Sequence, residues 1–467
     1  MIRRISAGPL LAGALCLFAA TAVAQQQDSP AQSAATPAPA AAPAPPPAAA
    51  PAMTPTPAPP VAAAPAAAPA PTPVAAAPAV PAAPALPPGS PLIGRPASSE
   101  AASRLAPVPI PPLATAADKI PVDQFKAPKG FNIELYASGM PNARSLALSD
   151  KGTVFVGSRV QDKVYAITNK DGKRQVHVLV SGLYRPNGVA FKNGTLYIAE
   201  LSQISKIDNV DDKIDASPKP VVIYNDLPKD EAHGWKFLAI GPDNKLYFEV
   251  GQPGNNVLHD DAHGQLRRMN LDGTGAEKIA FGIRNTVGFD WNPKTKELYF
   301  TDNGRDWLSE DLPNDELNRI TKLGQDFGAP YCYQGNIADP EFGWGHSCSE
   351  FVPPVALMGP HAAALGMRFY TGTMFPAEYR DQIFVARHGS WNKTNKFGGD
   401  IALVKLNKDG SVKSLEPFIT GFLQNNNYLG RPVDVMNMPD GSMLISDDWN
   451  GAVYRVTYGP NKKVAGR

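Results

Sequence analysis

Leu146-Ala-Leu-Ser-Asp-Lys-Gly-Thr-Val-Phe-Val156 is an apolar alternating run, a turn through Asp150 and Gly152, and a second alternating run. The same phrase returns as Val189-Ala-Phe-Lys-Asn-Gly-Thr-Leu-Tyr-Ile198 and as Leu238-Ala-Ile-Gly-Pro-Asp-Asn-Lys-Leu-Tyr-Phe248. It returns again from Val287 to Phe300 and from Val433 to Ile445, with a looser copy from Met367 to Val385. A period of two places successive side chains on opposite faces of a strand, and Gly, Asn and Asp supply the tight turns. A third run follows each hairpin, for example Lys163-Val-Tyr-Ala-Ile167 and Ala452-Val-Tyr-Arg-Val456. Hairpins of this kind recurring at roughly 50 residues specify a β-propeller. The chain is therefore read as all-β, a six-bladed β-propeller of four-stranded antiparallel blades. Phe131-Asn-Ile-Glu-Leu-Tyr136 precedes the first copy and is expected to pair with the last blade, closing the ring and hiding its edges. Two long insertions, Asp302–Leu312 and Lys322–Gly366, interrupt the pattern. Long loops on a rigid scaffold are where binding residues tend to lie.

Three segments divide the chain. Residues 1–24 read as a signal peptide: Arg3 and Arg4, an apolar stretch from Leu10 to Ala20, and Ala22-Val23-Ala24 as a small-x-small cleavage site. Residues 25–120 form an Ala/Pro-rich linker that carries most of the 49 prolines and almost no charge. Such a segment buries too little apolar surface to offset ordering entropy, and it is expected to be disordered with a polyproline II bias. Residues 121–467 hold the propeller. The protein is expected to be exported, to the periplasm or beyond, with no membrane span in the mature chain. In an oxidising compartment the remaining pair, Cys332 and Cys348, reads as a disulfide, worth about 3 kcal/mol through the unfolded chain. The balance of 44 Lys+Arg against 43 Asp+Glu gives no basic field for nucleic acid.

Candidate chemistry gathers just ahead of the hairpins. His233, in Glu231-Ala-His-Gly-Trp235, is suited to take a proton near neutral pH. Arg284 beside Asn285 offers a fork of donors and an amide for a carboxylate or quinone oxygen. The turn Asp311-Leu-Pro-Asn-Asp-Glu316 offers hard oxygen ligands of the type Ca²⁺ prefers. Arg387 and His388 follow the fifth hairpin and Arg431 opens the sixth. Several cations converging on one channel point to an anionic ligand, unless Asp302, Asp306, Asp447 and Asp448 neutralise them.

These motifs, in this order and over Phe125 to Tyr458, resemble the glucose/sorbosone dehydrogenase family of pyrroloquinoline quinone-dependent six-bladed propellers. His388-Gly-Ser-Trp-Asn392 and Arg431-Pro-Val-Asp-Val435 are most similar to its sorbosone dehydrogenase-like branch. The resemblance implies oxidation of an aldose or sugar aldehyde by hydride transfer to pyrroloquinoline quinone. It implies His233 as general base and Arg284 polarising the receiving quinone carbonyl, with Asn285 beside it. It implies backbone carbonyls of Leu312 and Pro313 on Ca²⁺, and cofactor contacts from Arg431, Arg387 or His388, Arg144 and Arg159. Val287 and Val433 stand where the soluble glucose dehydrogenase branch has Gln and a second Arg. No Cys-x-x-Cys-His haem site is present, so electrons are expected to leave to a separate acceptor, a quinone or a cytochrome. Two alternatives stay open on sequence: a calcium-dependent lactonase-type propeller, suggested by Arg185-Pro-Asn-Gly-Val189 and Ser446-Asp-Asp-Trp-Asn-Gly451, and a non-catalytic recognition propeller.

Overall fold

The computed structural model of the chain describes residues 111–258 and 260–460. The expected signal peptide and most of the expected linker lie outside the described residues. The last part of that linker lies within them and is folded. Thr115 donates its N–H to the Asn450 carbonyl at 3.0 Å and its hydroxyl to Asn450 Oδ1 at 2.9 Å, and Ile120 is buried. Ordered chain thus extends on the N-terminal side of the boundary expected at residue 121.

The six blades are four-stranded antiparallel sheets, one of them extended. Blade 1 runs Ala143–Leu148, Val154–Ser158, Val164–Lys170 and Lys173–Val180 from inner to outer strand. Blade 2 runs Gly188–Lys192, Thr195–Ala199, Ile204–Ile207 and Val221–Tyr224. Blade 3 runs Leu238–Ile240, Leu246–Val250, Gln265–Met269 and Glu277–Phe281, and the short Gln325–Asp326 adds a parallel fifth strand. Blade 4 runs Phe289–Trp291, Leu298–Asp302, Asn314–Ile320 and Ala356–Pro360. Blade 5 runs Ala364–Phe369, Ile383–Arg387, Asp400–Leu406 and Val412–Ile419. Blade 6 takes Pro432–Asn437, Met443–Asp447 and Ala452–Tyr458, and its outer strand is Phe131–Ser138 from the other end of the domain. The expected ring closure is present, with Phe131 opposite Tyr458 and Ser138 opposite Ala452. One expectation shifts: the outer strand of blade 4 and the start of blade 5 lie inside the stretch read as an insertion to Gly366. Ala356-Leu-Met-Gly-Pro360 has little β-branched character and carries a Gly and a Pro, which hides a strand from a propensity reading.

Each seam between blades is filled by one apolar cluster. Phe155, Val164 and Leu196 fill the seam of blades 1 and 2, and Phe237, Phe289 and Phe300 that of blades 3 and 4. Phe384, Ile401, Val435 and Tyr454 fill the seam of blades 5 and 6. Each fully buried side chain of this type contributes roughly 1.5–3 kcal/mol. Second strands such as Val154–Ser158 and Leu298–Asp302 are buried at every position, because neighbouring blades cover both faces. Inner strands converge closely: a Cβ on Gly288 would lie 2.5 Å from the Leu365 carbonyl of the next blade.

Carboxylates stitch the inner strands across these seams. Asp290 of blade 4 accepts the Phe369 N–H of blade 5 at 2.9 Å. Asp434 of blade 6 accepts the Leu146 N–H of blade 1 at 2.9 Å and faces Arg368 of blade 5 at 3.4 Å. Inner strands 1, 5 and 6 each carry a register shift at the same place, between Ala143 and Leu146, Ala364 and Met367, and Pro432 and Val435. Bulges re-aim side chains, and here they lie at the level of Arg144, Leu365 and Val433.

Asp434→Ala is expected to leave the buried Leu146 N–H and the Arg368 charge unpaired, at a cost of about 2–3 kcal/mol. Urea unfolding should show a lower midpoint at an unchanged slope. A midpoint equal to that of the parent protein would mean that the seam does not need this carboxylate.

Candidate active site

A cavity of about 290 Å³ opens where the inner strands begin, and its wall draws on blades 1, 3, 4, 5 and 6. Its floor is apolar. Trp235, Val287 and Leu365 line it there, and Val433 packs with them in one buried cluster. The two valines noted as departures from the glucose dehydrogenase branch are therefore packing residues here, contributed by blades 4 and 6.

Four guanidinium groups line the cavity: Arg144, Arg159, Arg284 and Arg431. Two have carboxylate partners. Arg144 donates to Asp448 Oδ2 at 2.9 Å and to Asn187 Oδ1 at 2.9 Å. Arg284 donates to Asp306 Oδ2 at 2.9 Å, to Asn255 through its carbonyl at 2.6 Å and its Oδ1 at 3.0 Å, and to the Asn303 carbonyl at 3.1 Å. The other two have no carboxylate partner among the described residues. Arg431 gives Nε and Nη2 to the carbonyls of His388 and Gly389 at 3.2 and 2.6 Å and lies over the Tyr428 ring. Arg159 stacks on Trp235, 3.7 Å from the ring centroid, and its buried Nε has no hydrogen-bond partner. Burial, with Arg144 nearby, lowers the Arg159 pKa to about 9, which still leaves it charged at neutral pH.

The aspartates thus neutralise part of the ring. Asp302 and Asp447 serve a different purpose: each caps backbone N–H groups at the entrance of an inner strand, those of Arg284 and Asn285 in one case and of Arg431 in the other. The same two-strand geometry aims both arginines at the cavity.

His233 stands in the left-handed region, with φ 48°. Gly251 makes room for it, since a Cβ there would lie 2.6 Å from His233 Cβ. The Nδ1–H donates to the Gln252 carbonyl at 2.9 Å, so Nε2 keeps its lone pair. Burial, then the charges of Arg284 and Arg159, hold the imidazole well below its ordinary pKa, and it is neutral.

The structure places the remaining candidates unevenly. Asn285 is in the cavity wall. His388 is there too, but as a neutral imidazole rather than the cation expected. Its Nε2 pairs with Asp448 Oδ1 at 2.8 Å, and burial, with Arg431 beside it, brings it down to about 3. Arg387 is not in the wall: it is committed to Asp400, with Nε to Oδ1 at 2.7 Å, and to the Met358 carbonyl. Alternate side chains of a strand face opposite ways, so Arg387 and His388 could not both serve. Leu312 and Pro313 are also absent from the wall. Pro313 lies behind Gly304, whose added Cβ would meet Pro313 Cγ at 2.5 Å, and the Leu312 carbonyl accepts the Ser309 N–H at 3.0 Å. No group of three or more His, Cys, Asp or Glu able to hold a metal occurs among the described residues. The two residues named for calcium are therefore set back from the cavity, behind Gly304. Cys332 and Cys348 form the expected disulfide.

Asp315 and Asn392 lie in motifs quoted above without a role of their own, and His361 escaped the sequence reading; all three line the wall. Asp315 accepts the N–H groups of Gly304 and Ala364 at 3.0 and 3.1 Å. Asn392 donates to Asp306 Oδ1 at 2.8 Å, and His361 sits beside it at 3.3 Å with its Nε2 on the Ser309 carbonyl. His361 precedes an inner strand, as His233 does. That signal was hidden because the strand start was set too late, at Met367.

A family model described as glucose/sorbosone dehydrogenase matches residues 199–455. An uncharacterized protein of Borreliella burgdorferi is 31% identical over 359 residues, covering 73% of this chain and 93% of that protein. Quinoprotein glucose dehydrogenase B of Acinetobacter calcoaceticus is 32% identical over 142 residues, covering 25% of this chain and 30% of that protein. The holo form of the pyranose dehydrogenase PQQ domain from Coprinopsis cinerea superposes with a TM-score of 0.61 at 17% identity, over 75% of this chain and 98% of that one. At that identity the likeness is one of fold.

In apoprotein, the His233 ring protons are expected to titrate well below pH 6.5 by NMR. Arg284→Gln removes a like charge and should move that titration upward. A midpoint near 6.5 in the parent protein would place the imidazole in solvent instead of in the wall.

Proposed function

The chain belongs to the glucose/sorbosone dehydrogenase family, and on that premise we propose that it is a quinoprotein that oxidises an aldose or a sugar aldehyde. Family and fold make it a propeller of the quinoprotein sugar dehydrogenase type. One observation carries the assignment of the site. Arg431, buried, and Arg159, half-buried with its Nε enclosed, are charged groups at the cavity without carboxylates, beside an imidazole with a free lone pair. Such a site is incomplete until an anion enters it. A planar polycarboxylate such as pyrroloquinoline quinone meets that demand, and the stacked Trp235 and Arg159 and the apolar floor suit a flat ring system.

When bound, the quinone supplies a two-electron hydride acceptor. The protein's own groups do the rest. His233 Nε2 takes the substrate hydroxyl proton, and its Nδ1–H bond to Gln252 fixes the tautomer and aims the ring. Arg284, held by bonds to Asn255, Asn303 and Asp306, presents a fixed positive charge where negative charge develops on the acceptor oxygen. Arg144, Arg159 and Arg431 bind cofactor carboxylates, and Asn285 adds an amide. His388 enters as a neutral partner ordered by Asp448.

The sorbosone dehydrogenase-like branch remains our reading for the substrate class. Val433 supports it, because the side chain packs into the apolar cluster with Trp235, Val287 and Leu365 and offers no charge to a second cofactor group. Electrons leave to a separate carrier. The disulfide suits an oxidising compartment and thus export, and no described helix is long and apolar enough to cross a membrane.

The test is dye reduction by purified protein supplied with pyrroloquinoline quinone and Ca²⁺, over a panel of aldoses and sugar aldehydes. Reduction that requires the quinone is expected, and silence across the panel would return the protein to the recognition class. His233→Ala is expected to lower turnover by about 100-fold or more while quinone binding, read by absorbance, persists. Near-normal rates in that variant would take His233 out of the mechanism.

A further inference from the structure

We propose that the disulfide-closed insertion belongs to the site: it holds Arg284 in the cavity wall, with Tyr333 as the positioning residue. The role of Arg284 rests on the dehydrogenase reading, whereas the contacts that hold it do not.

Two arms of the insertion converge on the residues that bind this one guanidinium. The first starts at the disulfide. Tyr333 follows Cys332, is buried, and donates its hydroxyl to Asn256 Oδ1. The neighbouring Asn255 makes two of the bonds that hold Arg284, at 2.6 and 3.0 Å. The second arm is Asp339, which accepts from Arg305 Nη1 at 2.6 Å, with both side chains buried. That pair fixes the chain at Arg305, and the next residue, Asp306, binds Arg284 Nη2 at 2.9 Å. The arms then close on each other. The Asp306 N–H donates to Asn255 Oδ1 at 2.7 Å, and Asn255 Nδ2 donates to the Asp306 carbonyl at 3.1 Å.

Asn255 itself is exposed and lies in a segment with no strand to hold it. Its order must come from its contacts, and the Tyr333 hydroxyl reaches it through the adjacent residue. A loop that only covered the seam of blades 3 and 4 would need Val352 against the core, which it also has. It would not need polar contacts to two separate segments that bind the same arginine. The disulfide restricts the unfolded insertion and so lowers the entropy cost of placing Tyr333.

Tyr333→Phe in the full chain removes one hydroxyl and little volume. Amide exchange over residues 253–258, read by mass spectrometry, is expected to quicken about fivefold, the worth of one buried hydrogen bond, while strand Leu298–Asp302 stays protected. With quinone, Ca²⁺ and a sugar supplied, kcat is expected to fall about fivefold with KM within about twofold, since Arg284 acts on developing charge. In an Asn255→Ala background, which keeps the Asn255 carbonyl on Arg284 Nε, the same change should lower kcat less than it does in the parent protein. Replacing both cysteines by serine should reproduce the exchange signature. Trp344→Ala, at an exposed residue of the same insertion, should change neither measurement. Parent-like exchange over 253–258 in Tyr333→Phe, or a full additive loss in the Asn255→Ala background, would overturn the inference. Exchange needs no turnover, so it decides this point even if no sugar is oxidised.

Discussion

Ring closure is the constraint on which the site depends. Phe131–Ser138 pairs with Ala452–Tyr458 and joins the two ends of the domain in one sheet. Only then does Arg144 of blade 1 meet Asp448, across 304 residues of chain. Asp448 in turn orders His388 of blade 5, and Asp434 secures Leu146 across the same seam. An open arc of blades would leave these charges facing water, where each pair contributes little. Closed, the ring excludes water and makes every pairing consequential.

Charge in the cavity is distributed by a division of labour among aspartates. Asp448 and Asp306 pair with side chains, whereas Asp302 and Asp447 are spent on backbone N–H groups at strand entrances. The second use leaves two arginines without a counterion. Desolvating a lone guanidinium costs several kcal/mol. Stacking of Arg159 on Trp235 offsets about 1–2 kcal/mol of that, and carbonyls serve Arg431. The remainder is a standing electrostatic demand for an anion. Burial first, and then the same field, keep His233 and His388 neutral, so one arrangement both attracts an acidic ligand and maintains a base.

Much of the ring was legible from sequence. Hairpins such as Val189–Ile198 repeat locally, and periodicity in a strand is a property of neighbours. Arg284, Arg431 and His233 were legible for the same reason, since each stands just ahead of a recognisable inner strand. Arg387, Leu312 and Pro313 were harder. The choice between Arg387 and His388 turns on strand parity at a single position. The Leu312-Pro313 turn has the composition of an oxygen-ligand loop, but Gly304 lies between Pro313 and the cavity. The outer strand of blade 4 was missed because Gly359 and Pro360 mask it.

From sequence alone came the number of blades, their hairpins and third strands, and most of the cationic and imidazole residues gathered at the strand starts, because all of these follow from short-range pattern. Which arginines are free, which imidazole nitrogen keeps its lone pair, and that Val287 and Val433 pack into one apolar cluster were decided by the tertiary structure. Those properties depend on partners supplied by other blades, and a partner hundreds of residues away leaves no mark on the local pattern. The insertion shows the same division: its cysteines announced a staple, but only the folded ring showed that the staple stands behind Arg284.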